Sequence, residues 1–499
     1  DRADPDALRI GVASHNLFEI GWALALREAR GAGPRVEIEM LEGMAPAQAR
    51  AARDLVGAVL LYAPIVARHE WEASIAYLSR RLDENAAPEN FLHALFDISA
   101  GSPAWQAQQQ RFMSAVRDRT SVATASRRTQ DRAQAGRAHP DDGSFDNAAD
   151  TDFTRPANRD WIAQALAEVT VHEPEVIDET ETIDRLVANG LAAQRQWATT
   201  PWAHRRRTLA AIADSMEAHR AEAIAVMAHT TGKTVREGDP EVSEAVDFAM
   251  FAAHLTLAHE EFERAGATWS PHRLVLVAGP WNFPYAIPAS GLVHAIAAGA
   301  AVIVKPAPQA RAVAAALVAH VRAAGVPEHL VQLASTPDDE VGRHLVTHPD
   351  VDLVVLTGSY ETAEMFTHWR PARRLLAETS GKNSMIVTQA ADLDLAIRDL
   401  VRSAFGHAGQ KCSAASLAIL AAPVHDDPAF GHRLADAVTS LTVGPATDLA
   451  TMMGPLVEAP SQRLERALTR LDAGESWLVE PRCVDAAANL WSPGVRLGV

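Results

Sequence analysis

Cysteine is nearly absent: the 499 residues contain two, Cys412 and Cys483. A disulfide framework is thereby excluded, and the usage suits a reducing compartment, so a cytoplasmic location is expected. Positive charge is also scarce. Lys and Arg number 46 against 63 Asp and Glu, a formal net charge of -17, which makes nucleic acid and anionic membrane surfaces poor general partners. No G-x-G-x-x-G occurs, so the ordinary dinucleotide fingerprint is missing. His and Cys never stand at zinc-ligand spacing, and no metal site is expected. The longest stretch free of Lys, Arg, Asp and Glu, residues 274–304, has the length of a membrane span but contains Pro280, Asn282, Pro284, Pro288, Ser290 and His294. It reads instead as a buried strand, loop, helix and strand. What is present, 48% apolar residues, supports cores for roughly three domains.

Three short apolar runs, at 8–13, 36–41 and 58–63, alternate with helical patterns at 18–29, 46–55 and 70–85. Three successive βα units imply a parallel sheet. Three cannot close a barrel or bury such a sheet on both faces, so further strands are expected upstream or the unit is an appendage. From residue 119 to about 160 the composition shifts to Arg, Asp, Ala, Ser, Thr and Gly, and 99–160 is expected to be a partly disordered linker. Helical patterns follow at 162–169, 183–198, 204–229 and 239–265. Buried strands are expected at 274–278, 301–304, 331–334 and 353–357, with helices at 290–297 and 310–324. This α/β alternation resembles a doubly wound nucleotide-binding sheet.

Two motifs fail on their context. Thr231-Gly232-Lys233-Thr234 has the tail of a phosphate-binding loop, but the required first glycine is replaced by Met227 and a helical rather than strand pattern precedes it. His407 lies five residues before Cys412; a Cys/His hydrolase is conceivable on that spacing, and a loop histidine is the simpler reading.

Three segments share a chemical logic. Asn282, in Gly279-Pro280-Trp281-Asn282-Phe283-Pro284, and Lys305, before Pro306, each follow a buried strand. They are thus placed at strand carboxyl ends, where open α/β sheets bind ligands. Cys412 lies in GHAGQKCS, a glycine-containing turn. A free thiol is only a few per cent thiolate at neutral pH, so a nucleophilic cysteine needs surroundings that favour the anion. Glu378 follows another apolar stretch and is a candidate general base. Taken singly, a Glu or an Asn is as readily a surface carboxylate or a turn cap.

GPWNFP, KPA, LTGS at 356–359, AETSGKN at 377–383 and GQKCS at 409–413 occur in this order. In order and spacing they resemble the aldehyde dehydrogenase superfamily over roughly residues 156–499. SAFGHAGQKCSAASLAIL at 403–420 is similar to its glutamate-semialdehyde (1-pyrroline-5-carboxylate) dehydrogenase branch. EMLEGMA at 39–45, LLYAPI at 60–65 and AYLSRRLDEN at 76–85 resemble the end of a proline dehydrogenase (βα)8 barrel.

The resemblance implies the last three βα units of that barrel over 1–98, an NAD-binding domain over 161–375 and an incomplete catalytic domain over 376–499. It implies two linked steps, FAD-dependent oxidation of proline and NAD-dependent oxidation of glutamate semialdehyde to glutamate. By the same resemblance Cys412 is the nucleophile, Asn282 an oxyanion donor and Glu378 the base for thioester hydrolysis. Lys305, Trp281, Gly358 and Ser359 bind NAD, and Ser413 binds the substrate carboxylate. In the barrel part Arg80 and Arg81 clamp the proline carboxylate, Tyr62 and Tyr77 pack around proline and flavin, and His15 and Asn16 contact FAD. Arg80 and Glu84, spaced i,i+4, are equally readable as a surface ion pair. A homo-oligomer is implied for the full-length protein, and any peripheral membrane or quinone contact belongs to that protein alone.

Two departures from the family pattern matter. Pro308 stands where the family commonly has a Glu that accepts a ribose hydroxyl. The chain is also expected to be the middle of a longer protein, with an incomplete flavin site and impaired semialdehyde oxidation by itself. A non-catalytic binding module, or an aldehyde dehydrogenase for another substrate, stays open as an alternative.

Overall fold

Alternation of apolar runs with amphipathic segments gives parallel strands joined by helices, because a right-handed crossover needs a helix to return the chain to the same edge. The computed structural model describes residues 9–499 except 96, 125, 135 and 137. Leu8, the expected first residue of the first strand, lies outside the described residues. The chain divides into two units, Asp1–Arg127 and Arg128–Val499.

In the first unit, β1 (Ile10–Ala13), α1 (Leu17–Ala29), β2 (Val36–Leu41), α2 (Pro46–Val56), β3 (Leu60–Tyr62) and α3 (Trp71–Ala86) follow in order. The strands form a parallel sheet in the order β1-β2-β3. Asn16 caps α1 by accepting from the Phe18 amide, and α2 stops at Gly57, whose φ of 87° suits glycine. Ile20, Ile38, Met40 and Ala52 make a small core, while Leu60, Leu61 and Tyr62 of β3 stay exposed. The thin core follows from the strand count, since two of the three strands, β1 and β3, are edges and largely exposed. A helix, α4 (Pro103–Asp118), capped by Ser102, packs Trp105 and Phe112 against Phe18.

That helix begins a correction. The expected linker at 99–160 is structured along most of its length. Within the second unit, Thr151 donates through its amide and hydroxyl to Asp239, the Ala148 amide donates to Asp247, and the His139 amide donates to Asp214. Arg132 pairs with Glu217, and Phe145 and Phe153 pack on the main core. A polar composition predicts disorder only when its groups lack partners. Here one buried carboxylate, Asp239, and three half-buried ones supply them.

The second unit continues with α5 (Pro156–Glu168), α6 (Thr180–Trp197), α7 (Trp202–Ala218), α8 (Arg220–Thr230) and α9 (Val235–Arg264). The single helix expected at 204–229 is broken at His219, which lies outside the helical region at φ -100°, ψ 16°. A five-stranded parallel sheet follows, ordered β6-β5-β4-β7-β8. Its elements are β4 (Leu274–Gly279), α10 (Ala286–Ala298), β5 (Ala301–Pro306), α11 (Arg311–Ala323), β6 (Val331–Leu333), α12 (Glu340–Thr347), β7 (Leu353–Gly358), α13 (Tyr360–Trp369) and β8 (Arg374–Thr379). Every residue of β4 and β5 is buried, as expected of a charge-free run inside a sheet covered on both faces. The expected domain boundary at 375/376 falls inside β8, which pairs with β7 from Leu353↔Arg374 to Gly358↔Thr379. A sheet is not divided at a hydrogen-bonded strand, and residues 128–499 form one compact unit.

A second parallel pair, β9 (Asn383–Val387) and β10 (Ala415–Leu420), is joined by α14 (Leu393–Phe405). Then come α15 (Ala422–His425), α16 (Pro428–Thr439), α17 (Gln462–Thr469) and the antiparallel pairs β11 (Ser476–Val479) with β14 (Val495–Leu497) and β12 (Cys483–Asp485) with β13 (Leu490–Trp491).

The core of the second unit holds a titratable stack. The buried Tyr285 hydroxyl donates to His320 Nδ1 at 2.8 Å, His320 Nε2 faces Glu222 at 3.3 Å, and the His219 ring stacks on His320 at 4.5 Å. Burial, then the neighbouring His219, lowers the His320 pKa to about 4 against the opposing pull of Glu222. Between that value and the ordinary 6.5 the unfolded chain binds a proton that the native state refuses. Stability is therefore full above 6.5 and is lost as pH falls toward 4. On acidification across this window the unfolding free energy should fall by up to about 3 kcal/mol from this residue. His320→Gln should flatten that slope in urea titrations at several pH values; an unchanged slope contradicts the assignment.

Candidate active site

Register decides which side chains share a space. In the five-stranded sheet Lys305 is level with Ala278, Leu356 and Ala377, whereas Glu378 is level with Thr357. Successive residues of a strand face opposite sides, so Lys305 and Glu378 lie at the same carboxyl edge but on opposite faces. On the Glu378 face, Val275, Val277, Leu353, Val355, Thr357 and Leu376 line a cavity of about 640 Å³ that also reaches Phe283, Cys412 and Ser413. Cys412 is half-buried, and Glu378 is exposed at the end of its strand.

The loop after β4 is held from below. Lys233 Nζ donates to the Asn282 carbonyl oxygen at 2.8 Å, lies 3.7 Å from the Phe283 ring centroid and pairs with Glu241 at 2.5 Å. Both charged side chains of that pair are fully buried. Glu241 Oε1 in turn accepts from the Tyr285 and Ala286 amides at the start of α10, which satisfies helix N–H groups and complements the helix dipole. Gly279 fits because a Cβ there would stand 2.5 Å from Pro288 Cγ.

The cysteine loop is strained and pinned. His407, Ala408 and Gly409 have φ of 51°, 54° and 72°, and left-handed backbone costs about 1–2 kcal/mol at each non-glycine residue. Gln410 Nε2 donates to the His407 and Pro455 carbonyls, and Gln410 Oε1 accepts from the Val457 amide. Lys411 pairs with Glu237, and Asn383 Nδ2 donates to the Cys412 carbonyl at 2.5 Å. The joining contact runs between the two loops: Asn282 Nδ2 donates to the Gln410 carbonyl at 2.8 Å. One Asn282 amide proton is thus used for positioning, two residues from the thiol, and the second is left for a ligand. Glu378 and Cys412 thus line one cavity, and Asn282 is joined to the loop that carries Cys412.

The other expected residues are placed as follows. Trp281 faces the His407 ring at 6.4 Å. His407 is buried, and burial together with Lys233 and Lys411 holds its pKa far below the usual range. It is a neutral loop residue with no hydrogen bond to Cys412 among the described residues. Lys305 Nζ donates to Asp338 at 2.8 Å. Gly358 ends β7, and Ser359 caps α13 by accepting from the Thr362 amide. Near Lys305, the buried hydroxyls of Ser335 and Thr336 have no partner. Open strand ends, a cation and unpartnered hydroxyls fit a dinucleotide lying across the carboxyl edge. From β5 to β8 is three strand spacings, about 14 Å.

In the first unit His15 Nε2 accepts from the Leu41 amide, while its buried Nδ1 has no partner. The Tyr62 hydroxyl donates to Glu39. These groups stand at the carboxyl ends of β1, β2 and β3, where a (βα)8 barrel places its site, and the orphaned nitrogen fits a polar ligand such as flavin. Asn16 caps α1 through its Oδ1. Arg81 lies 5.3 Å from the Tyr77 ring centroid and pairs with Glu84. The i,i+4 ion pair of Arg80 with Glu84 is replaced by this i,i+3 pair, and Arg80 is exposed.

Sequence reasoning missed Lys233, Glu241 and Glu244. Glu244 lines the cavity, and burial, then Glu241, raises its pKa against Lys233. A signal for Lys233 existed: the chain has four lysines, and the other three lie in KPA, SGKN and GQKC. A separate cluster, Asp184, His344 and His348, has the residue types of a metal site. However, the Asp350 amide donates to His348 Nδ1, which leaves the proton on Nε2 facing Asp184. That tautomer has no free Nε2 lone pair for an ion, and the cluster ties α6 to α12.

The sequence profile of the Aldehyde dehydrogenase family matches residues 162–476, and that of Proline dehydrogenase matches residues 3–94. The chain belongs to the aldehyde dehydrogenase family. NAD is the cofactor of an aldehyde dehydrogenase domain and FAD that of a proline dehydrogenase domain. A 1-pyrroline-5-carboxylate dehydrogenase of Bacillus subtilis (strain 168) is 32% identical over 374 residues, 65% of this chain and 72% of that protein. Proline utilization A from Corynebacterium freiburgense superposes with a TM-score of 0.78 at 42% identity, over 98% of this chain and 46% of that one. A variant of the Thermus thermophilus 1-pyrroline-5-carboxylate dehydrogenase gives 0.64 at 26% identity, over 71% of this chain and 78% of that one. The chain thus spans about half the length of the proline utilization A structure it matches.

In this aldehyde dehydrogenase domain the Lys233–Glu241 pair carries a prediction. Lys233→Met leaves a buried carboxylate unpaired and should destabilise the second unit by about 3–5 kcal/mol. Adding Glu241→Leu should restore part of the loss in urea unfolding. An unshifted midpoint for Lys233→Met contradicts this.

Proposed function

We propose that the second unit oxidises L-glutamate 5-semialdehyde, the open form of 1-pyrroline-5-carboxylate, to glutamate with NAD+, and that the first unit contributes to FAD-dependent oxidation of proline. The observation that carries the reading is the Asn282-to-Gln410 hydrogen bond, which sets a carboxamide donor against the loop of Cys412, a residue that lines one cavity with Glu378. The 1-pyrroline-5-carboxylate dehydrogenases and proline utilization A similar to this chain support the substrate.

Cys412 Sγ attacks the aldehyde carbon. The new oxyanion accepts from the remaining Asn282 amide proton and from the Cys412 backbone N–H, donors of the kind that favour a tetrahedral intermediate over a planar carbonyl. The chemistry that bound NAD+ supplies there is hydride acceptance, which leaves the acyl group on Cys412 as a thioester. Glu378 takes a proton from the water that releases the acid. Ser413 meets the substrate carboxylate, and Lys305, Trp281, Gly358 and Ser359 hold the dinucleotide. In the first unit Arg80 and Arg81 hold the proline carboxylate, with Tyr62, Tyr77, His15 and Asn16 around the flavin.

The family relationships support small-molecule substrates, and a homo-oligomer is part of the same reading. Among the described residues no helix is long and apolar enough to cross a membrane, and a cytoplasmic setting is part of this reading.

The test is NADH absorbance with the semialdehyde. Asn282→Ala should lower kcat by about 10²–10³-fold, and Cys412→Ala should abolish NADH formation. Glu378→Gln should keep a burst of one NADH per site while slowing the turnover that follows. NADH formation that survives Cys412→Ala rejects the mechanism.

A further inference from the structure

The adenosine end of the dinucleotide site lacks one acceptor and gains another. Pro308, which opens a short turn after β5, has no side-chain oxygen for a ribose hydroxyl. In the loop after β6, Asp338 accepts from Lys305 Nζ at 2.8 Å, with the Lys305 side chain 7% exposed and that of Asp338 59% exposed. A carboxylate offers about four lone-pair positions. The buried ammonium takes one of them, which leaves the exposed remainder toward the carboxyl edge. The neighbouring Ser335 and Thr336 hydroxyls, buried without partners, belong to the same loop.

Charge makes the arrangement selective. In doubly wound sheets a carboxylate at a strand end takes the ribose diol, and an unneutralised cation favours a 2′-phosphate. Lys305 alone is such a cation. Paired with Asp338 it is neutralised, and the exposed carboxylate repels a phosphate at hydrogen-bond range.

We propose that Asp338, oriented by Lys305, is the ribose-hydroxyl acceptor of this chain and selects NAD+ over NADP+. The inference rests on the dinucleotide reading given under the proposed function. It places the determinant on the loop after β6, where it offsets the acceptor absent at Pro308.

Calorimetric titration of the chain with NAD+ and with NADP+ tests it without reference to turnover. The unaltered chain should prefer NAD+ by about tenfold or more, the value of one hydrogen bond to a charged group. Asp338→Asn and Asp338→Ala should each weaken NAD+ by about tenfold without weakening NADP+, so that the two affinities converge. Asp338 is exposed, and both variants should fold. Binding of both nucleotides with a ratio unchanged in the variants, or a parallel loss of both, overturns the assignment while leaving the dinucleotide reading intact. Binding of neither nucleotide to the unaltered chain overturns both.

Discussion

A fully buried ammonium–carboxylate pair, Lys233 with Glu241, holds the catalytic end of the molecule in shape. Desolvating two charges is expensive and is tolerated only where further hydrogen bonds use the remaining donors and acceptors. Here they do. Lys233 reaches the Asn282 carbonyl, and Glu241 reaches the first amides of α10. The loop between β4 and α10 is thereby fixed at both ends, and the Asn282 carboxamide is aimed at the Gln410 carbonyl rather than left to rotate.

The strained turn at 407–409 depends on that arrangement. Left-handed backbone at His407 and Ala408 persists because Gln410, Lys411 and Asn282 over-determine the turn. Strain and positioning together set Cys412 in the lining of the cavity. Pleating of the sheet then divides the labour, with Glu378 and the cavity on one face and Lys305 with Asp338 on the other.

Much of this was legible in one dimension. The charge-free run at 274–304 was read as strand, loop, helix and strand, and it forms β4, α10 and β5. Asn282 and Glu378 stand out because each follows an apolar run, and Cys412 because it lies in a glycine-containing turn. The polar stretch at 128–155 was not legible as ordered, because its partners Asp214, Glu217, Asp239 and Asp247 lie about 75 to 100 residues away and composition carries no pairing information. Lys233 is illegible for a related reason. Its segment has the tail of a phosphate loop, whereas its partners are a residue two helical turns on and a loop 49 residues away.

From the linear chain alone came the element types, the parallel βα order and the residues with reactive chemistry. These depend on local periodicity and on side-chain type, which are properties of neighbours in sequence. Which face of the sheet each group occupies, which carboxylate meets which cation, and that Asn282 touches the cysteine loop were decided by tertiary structure. Strand register and burial bring distant residues to within 3 Å, and no pattern along the chain encodes a distance across it.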